Sequence, residues 1–323
     1  MNCENKVSVI MSCYNEKLEW IRYAIESILN QTYTNLEFII IVDKPDDNEI
    51  IQLIKLYSEK DKRIKYFINK KNMGLVKSLN KAIQYSTGYY IARMDADDIS
   101  DLYRLEKQIK YMKDNTEIDL IGCPIEVIDE YGISKGKRSL LPCNYEKIKD
   151  ILPITNFYNH PTWFVKRKVY IELNGYREIN RNEDYDFLLR ALSKGYKLSN
   201  INEHLLLYRE RANSISRSNP LEQYIATLYT KNLYKERIKN KEDSYSKESC
   251  KKFIQSICTH ENNIKYKNAF IKFETGANQL KNGVKIRGIL LLLESFISNK
   301  YQRQRISELI KSKLKRSKKC YEY

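Results

Sequence analysis

Four apolar runs alternate with segments of helical period in the first hundred residues, and this alternation limits the chain to a parallel sheet covered on both faces. The runs are Lys6 to Cys13, Leu36 to Val42, Ile64 to Asn69 and Tyr89 to Met94. Between the first two, Leu18 to Gln31 repeats Ile21, Ala24, Ile25 and Ile28 at helical spacing. Further helices are expected from about Asn48 to Asp61 and from Leu75 to Ser86. Strands of such a sheet are buried on both sides, so they read as continuous apolar runs.

The fourth run ends in charge. Gly88-Tyr-Tyr-Ile-Ala-Arg-Met-Asp95-Ala-Asp97-Asp98 sets three carboxylates within four positions, at the carboxyl end of a strand where open α/β sheets bind ligands. Carboxylates this close repel, and a divalent cation is the usual means of holding them together. Asp-rich loops also cap helices and form turns, and Asp101 stands before a helical segment, Tyr103 to Asn115, that could use it.

Beyond the acidic loop the pattern predicts a strand over Leu120 to Val127 and a hairpin-like region around Asp129-Glu-Tyr-Gly132. A less regular stretch over 139–165 follows, punctuated by Pro142, Pro153 and Pro161, and then a helix over Tyr185 to Lys194 with Asn182 as a candidate cap. Past Ser218 the strand signals stop and helical segments rich in Lys, Tyr and Asn take over. The expected organisation is therefore an α/β domain over 1–217 and a basic, mainly helical region over 218–323. Charge follows the same division. Lys and Arg less Asp and Glu give 34 − 31 = +3 for residues 1–217 and 23 − 10 = +13 for residues 218–323. The last third wants an acidic partner: an anionic membrane surface, an anionic glycan or a nucleic acid.

The seven cysteines are an odd number without a Cys-x-x-Cys pair, so neither a disulfide framework nor a thiolate zinc site is indicated. The opening Met1-Asn-Cys-Glu-Asn-Lys lacks the pattern of a secretory leader, and a cytoplasmic chain is expected.

Several motifs in order now carry a resemblance. Val7-Ser-Val-Ile-Met-Ser-Cys-Tyr14-Asn15-Glu16, Ser27-Ile-Leu-Asn-Gln31-Thr-Tyr, Asp43, Asn72-Met-Gly74-Leu-Val-Lys77-Ser-Leu-Asn80 and the Asp95-Ala-Asp97 triplet are followed by His160-Pro-Thr162, Asn174-Gly175-Tyr176, Glu183-Asp184 and Tyr208-Arg209 with Ser214-Ile-Ser216. Together they resemble family 2 of the glycosyltransferases, inverting enzymes of the GT-A fold, over about residues 5 to 217. The resemblance implies a nucleotide-sugar donor, with UDP-hexose or UDP-N-acetylhexosamine the expected class. It implies a glycan or lipid-linked acceptor in capsule, lipopolysaccharide or exopolysaccharide synthesis, and Mn²⁺ or Mg²⁺ as cofactor. Asp97 is then the main metal ligand, with Asp95 on the ribose or a water of the metal shell, and Asp98 supports the loop. Asp184 is the candidate general base, although a carboxylate pair in a first helical turn also suits the macrodipole of any protein. Tyr14, Glu16, Asp43, Asn72 and Lys77 fall on the donor side; His160, Trp163 and Glu183 fall on the acceptor side. Tyr14 could equally pack, Lys77 could be solvated, His160 could be a hydrogen-bonded loop histidine, and the apolar neighbours of Trp163 favour a core position.

Two departures from the family pattern stand out. Asp43-Lys44-Pro45-Asp46-Asp47 replaces the common Asp-Asp-Gly-Ser turn, and Arg211 occupies the place where many relatives carry a histidine. A guanidinium cannot ligate a metal, so Arg211 is expected to pair with the diphosphate.

In the last third, Arg287 to Ile297 holds an apolar stretch too short to span a bilayer, and Tyr301 to Lys319 sets Ile306, Leu309, Ile310 and Leu314 at helical spacing in a cationic surround. Such a segment suits peripheral contact with an anionic membrane at the inner face of the cytoplasmic membrane, or packs its stripe on the rest of the protein. A nucleic-acid-binding protein is the first alternative, but no zinc-finger spacing and no aromatic RNA-binding signature is present, and nucleic acid is set aside as a partner. The second is a GT-A-like nucleotidyltransferase, whose glycine-rich phosphate loop is missing from Met11-Ser-Cys-Tyr-Asn-Glu16.

Overall fold

The protein is described here by a computed structural model covering residues 5–211 and 219–317. Two compact units emerge: Met1–Ile148, Phe157–Glu178 and Arg190–Arg211 form one, while Lys149–Asn156, Ile179–Leu189 and Ala212–Tyr323 form the other. Two segments of the first 217 residues thus group with the C-terminal region. The expected boundary at 217/218 and the Ser214-Ile-Ser216 motif lie outside the described residues.

The first unit opens as β1 (Val7–Cys13), α1 (Leu18–Leu29), β2 (Leu36–Val42), α2 (Asn48–Lys60), β3 (Ile64–Ile68), α3 (Leu75–Tyr85) and β4 (Tyr90–Asp95). Next come β5 (Ile99–Ser100), α4 (Arg104–Asp114), β6 (Leu120–Gly122), β7 (Glu126–Ile128), β8 (Ser134–Lys137) and α5 (Tyr145–Ile151). They are followed by β9 (Phe164–Lys166), α6 (Arg167–Glu172), α7 (Glu183–Ser193), β10 (Leu198–Asn200) and β11 (Leu206–Arg209). α5 and α7 each contribute residues to both units.

A seven-stranded sheet runs in the order β10-β6-β9-β4-β1-β2-β3. β1 pairs in parallel with β2 and β4, from Val7 opposite Leu36 and Tyr90 to Ser12 opposite Asp95. All seven residues of β2 are buried, as a strand covered on both faces requires. Val9, Met11, Phe38, Ile40, Ala92 and Met94 belong to one core with Ile21, Ala24, Ile25 and Ile28 of α1.

Two expectations need correction. The less regular stretch over 139–165 ends in an unexpected strand, because β9 inserts antiparallel between β4 and β6, with Val165 opposite both Ile91 and Leu120. The expected strand over Leu120 to Val127 is interrupted at Cys123-Pro124, and its two parts enter different sheets. Proline lacks a backbone donor for the ladder and interrupts the strand there. The second sheet has the order β5-β11-β7-β8 and contains the expected hairpin, β7 antiparallel to β8.

At the amino end of β2, the buried Glu37 ties neighbouring segments together. Its carboxylate accepts from Ser8 Oγ (2.7 Å), Thr87 N (2.7 Å), Lys65 Nζ (2.8 Å) and Lys6 Nζ (3.1 Å). Burial alone would raise its pKa, but the hydrogen bonds from Lys65, Ser8 and Thr87 outweigh burial and hold it at about 2.

The second unit contains α8 (Pro220–Asn240), α9 (Lys247–Ile257), α10 (His260–Lys281), α11 (Lys285–Ser298) and α12 (Lys300–Ser317). Asn219 caps α8 by accepting from Glu222 N at 3.2 Å, with Pro220 in the first turn. Leu221, Tyr224, Ile225 and Tyr266 form one apolar cluster; Ile179, Ala226, Tyr229, Leu233 and Cys250 form another. Lys231 of α8 pairs with Glu308 of α12 at 2.8 Å. Among the described residues no helix is long and apolar enough to cross a membrane.

Candidate functional site

The parallel register places the ends of β1, β2 and β4 on one side of the sheet, and the chain leaving each strand there carries Tyr14 to Glu16, Asp43, and Asp95 to Asp98. The helix α3 begins beside Asp43. The Asp43 carboxylate accepts from Asn69 Nδ2 (2.7 Å), Met73 N (2.8 Å) and Gly74 N (2.8 Å), and Asn72 Oδ1 also accepts from Gly74 N at 3.0 Å. Gly74 stands at φ 84°, a backbone conformation that side chains disfavour, so glycine suits the turn. Asp43 therefore anchors the turn that carries Asn72 and leads into α3, where Lys77 sits. Lys77 lies 3.8 Å from Glu178, and Tyr14 is 45% exposed with its backbone N–H donating to Glu16 Oε2 at 2.8 Å.

Asp95, Asp97 and Asp98 each offer an oxygen, and these atoms lie within 4.8 Å of one another. Arginines fix the loop. Arg209 donates from its backbone N–H to Asp98 Oδ1 (2.8 Å), from Nε to the Asp97 carbonyl (2.8 Å) and from Nη1 to the carbonyls of Asp129 and Glu130 (3.0 and 3.2 Å). Buried Arg93 places Nη1 2.5 Å from Asp95 Oδ1. Arg211 Nε lies 2.8 Å from Asp97 Oδ2, and its Nη1 is 4.0 Å from Glu16 Oε1. The ring of Trp20 lies beneath both Arg209 and Arg211, 5.3 and 5.8 Å from its centroid.

Burial, followed by the Asp95 charge, pushes Asp97 up to about 7 while Arg211 pulls the other way. Burial and the charges of Asp97 and Asp95 likewise raise Asp98 well above the carboxylate range. The second Asp98 oxygen, Oδ2, is buried without a hydrogen-bond partner. Crowded carboxylates, a buried oxygen in need of a partner and an all-oxygen donor set fit a hard divalent cation. The Arg211 guanidinium already holds Asp97 Oδ2, so a cation there would meet a resident ion pair.

The acceptor-side candidates fall differently. His160 Nε2 meets the Tyr176 hydroxyl at 2.8 Å, which meets the Tyr170 hydroxyl at 2.9 Å. Burial, then the Arg93 charge, depresses His160 well below its ordinary pKa, so the ring is neutral. Trp163 is fully buried and its ring sits edge-on to His160 at 4.5 Å, a core position rather than a sugar platform. Glu183 and Asp184 open α7 within the second unit; Glu183 is buried, and half-buried Asp184 accepts from Asn156 Nδ2 at 3.1 Å.

Sequence reading did not give Arg93, Arg209 and Trp20 a place in the site. Arg93 carried a signal: an arginine inside a buried strand needs an anion, and Asp95 two residues on shares its face.

The description "Glycosyl transferase family 2" matches residues 8–173, a span that includes the acid trio. The chain belongs to this family. It is 39% identical over 226 residues to an uncharacterized glycosyltransferase, MJ1057, of Methanocaldococcus jannaschii, covering 69% of this chain and 77% of the relative. To the O-antigen biosynthesis glycosyltransferase WbnJ of Escherichia coli it is 37% identical over 214 residues, 66% of this chain and 82% of the relative. The fold is similar to that of S. aureus TarS, crystallised with UDP-GlcNAc, at a TM-score of 0.60 and 14% identity over 95% of this chain and 89% of that one. This family 2 glycosyltransferase therefore has the GT-A fold, and the acid trio stands at the carboxyl end of its β4.

Proposed function

We propose that the enzyme transfers a hexose or N-acetylhexosamine, with inversion, from a UDP-linked donor to a glycan or lipid-linked acceptor of a surface polysaccharide. The observation that carries the reading is the convergence of Asp95, Asp97 and Asp98 within 4.8 Å at the carboxyl end of β4. The O-antigen role named for WbnJ supports the polysaccharide class.

When bound, Mn²⁺ or Mg²⁺ supplies positive charge to offset what develops on the leaving diphosphate. Asp97 and Asp95 would hold it, with Asp98 behind them. Glu16 and Asp43 order the loops around the nucleoside, Tyr14 offers an exposed ring to the base, and Asn72 on the turn and Lys77 at the start of α3 stand beside them. Arg211, released from Asp97, directs its fork of donors to the diphosphate. Asp184 takes the proton from the acceptor hydroxyl, which a single displacement requires on the face opposite the leaving group. His160, with its neutral ring, acts on the acceptor side by positioning, as does Glu183. The enzyme works in the cytoplasm, and a lipid-linked acceptor brings it to the inner face of the membrane.

A thermal-shift and hydrolysis screen against UDP-, GDP- and dTDP-sugars, each with Mn²⁺, Mg²⁺ or chelator, tests this reading. Metal-dependent stabilisation by the UDP series, lost in Asp97→Ala, is expected. Stabilisation by another nucleotide series would replace the donor, and none by any series in folded protein would overturn the site.

A further inference from the structure

The helix α11 presents its hydrophobic residues outward. Ile286, Ile289, Leu290, Leu293 and Ile297 are 80%, 51%, 53%, 52% and 71% exposed. At 100° per residue these five fall on one stripe about 100° wide, the arc that an amphipathic helix ordinarily buries. The opposite face holds small residues that meet α10 closely. A Cβ on Gly276 would lie 2.9 Å from the Gly288 carbonyl, and Ser295 Oγ donates to the Ala269 carbonyl at 2.7 Å. The close contact of α10 and α11 uses Gly276, Gly288 and Ser295, with Leu280, Leu291 and Leu292 beside the glycines, while the five aliphatic side chains of the stripe stay more than half exposed.

We infer that this stripe is the surface by which the enzyme lies on an anionic membrane. Charge selects the occupant. Residues 281–317 carry ten Lys or Arg against two Asp or Glu, and Lys285 and Arg287 flank the stripe about 100° to either side of Ile286. The one acid of α11, Glu294, is paired with Lys272 of α10 at 2.8 Å. A second copy of the chain would set this cationic segment against itself, and a nucleic acid would leave five aliphatic side chains unmatched. An anionic bilayer interface offers both an apolar layer and negative headgroups. With 14 residues the helix is about 21 Å long, short of the roughly 30 Å hydrocarbon core, so it lies in the plane of the interface. In the segment expected after Tyr301, Ile306 of α12 is only 9% exposed, while Leu309, Ile310 and Leu314 are 36%, 52% and 57% exposed, so α12 adds apolar surface to that of α11. The inference deepens the peripheral-attachment reading and stands apart from the donor site.

The test is flotation of the full chain with phosphatidylcholine vesicles, with and without about 30% phosphatidylglycerol. Enrichment of at least about tenfold on the anionic vesicles is expected, falling by a similar factor in Leu290→Glu/Leu293→Glu and in Lys285→Glu/Arg287→Glu. These positions are exposed, and unchanged circular dichroism and donor hydrolysis show that fold and site are intact. Equal binding of wild type to both vesicles, or no binding, overturns the proposal while leaving the transferase reading in place. So does a wild-type dimer in sedimentation that Leu290→Glu/Leu293→Glu converts to monomer without any vesicle binding.

Discussion

Arg211 Nε lies 2.8 Å from Asp97 Oδ2, so a resident side-chain cation occupies the carboxylate assigned to the metal. Metal binding then competes with an internal ion pair. Arg211→Ala is expected to tighten Mn²⁺ binding to the nucleotide-free protein, by about tenfold for a pair worth about 1.4 kcal/mol, and to weaken UDP binding in the presence of metal. Calorimetric titration of each ligand checks both halves. Unchanged UDP affinity would remove Arg211 from the diphosphate.

Asp184 is expected to act on the proton alone. Asp184→Asn should retain metal-dependent stabilisation by the nucleotide sugar while lowering transfer by about 10² to 10⁴, the usual worth of a general base. Transfer at the wild-type rate would exclude it. Asp186, buried on the same helix, supplies the control substitution.

Glu37 ties acid stability to the sheet. Its folded pKa, held at about 2 against an ordinary 4.5, means that its stabilisation is complete above about pH 4.5 and is lost as pH falls through 2. That shift corresponds to about 3 kcal/mol. Glu37→Gln should lower stability at pH 7 by a comparable amount and flatten the acid limb of the curve, measured by urea unfolding between about pH 2 and pH 7.

Gly88 has no room for a side chain. A Cβ there would meet the Lys6 carbonyl and Ser8 N, each at 2.7 Å, and Ser8 Oγ at 2.8 Å. Two of these atoms are backbone within or beside β1 and cannot turn away. Gly88→Ala should cost about 2 kcal/mol, seen as a lower urea midpoint, without changing which nucleotide binds.

Much of this arrangement was legible because buried parallel strands and amphipathic helices write their periods into the chain. The runs Lys6 to Cys13, Leu36 to Val42, Ile64 to Asn69 and Tyr89 to Met94 announced themselves within a residue of the strands, and the acid trio stood at the end of the last. β9 did not, being three residues long among prolines and antiparallel to its neighbours. The partners of the buried arginines were obscure beyond Arg93, because the anions and carbonyls around Arg209 come from segments about 80 to 110 residues away. The outward stripe of α11 was hidden for a different reason. An apolar stripe normally marks the inward face, but Gly276, Gly288 and Ser295 let two helices approach so closely that the side with the small residues, flanked by Leu291 and Leu292, is the inner one.

The antiparallel β9 also bears on assembly during synthesis. β1 to β4 bond only to one another within residues 7–95, and β6 bonds to β10. In the larger sheet only β9 bonds to both groups. The amino-terminal ladder can close as soon as Asp95 has emerged, but the outer edge of β4 stays open until Phe164 to Lys166 arrive about seventy residues later. In that interval the newborn chain offers the bare edge of a strand that ends as a central one, while Arg209 and Arg211, which hold the acid loop, are still unmade, which leaves this edge open to mispairing with another nascent copy.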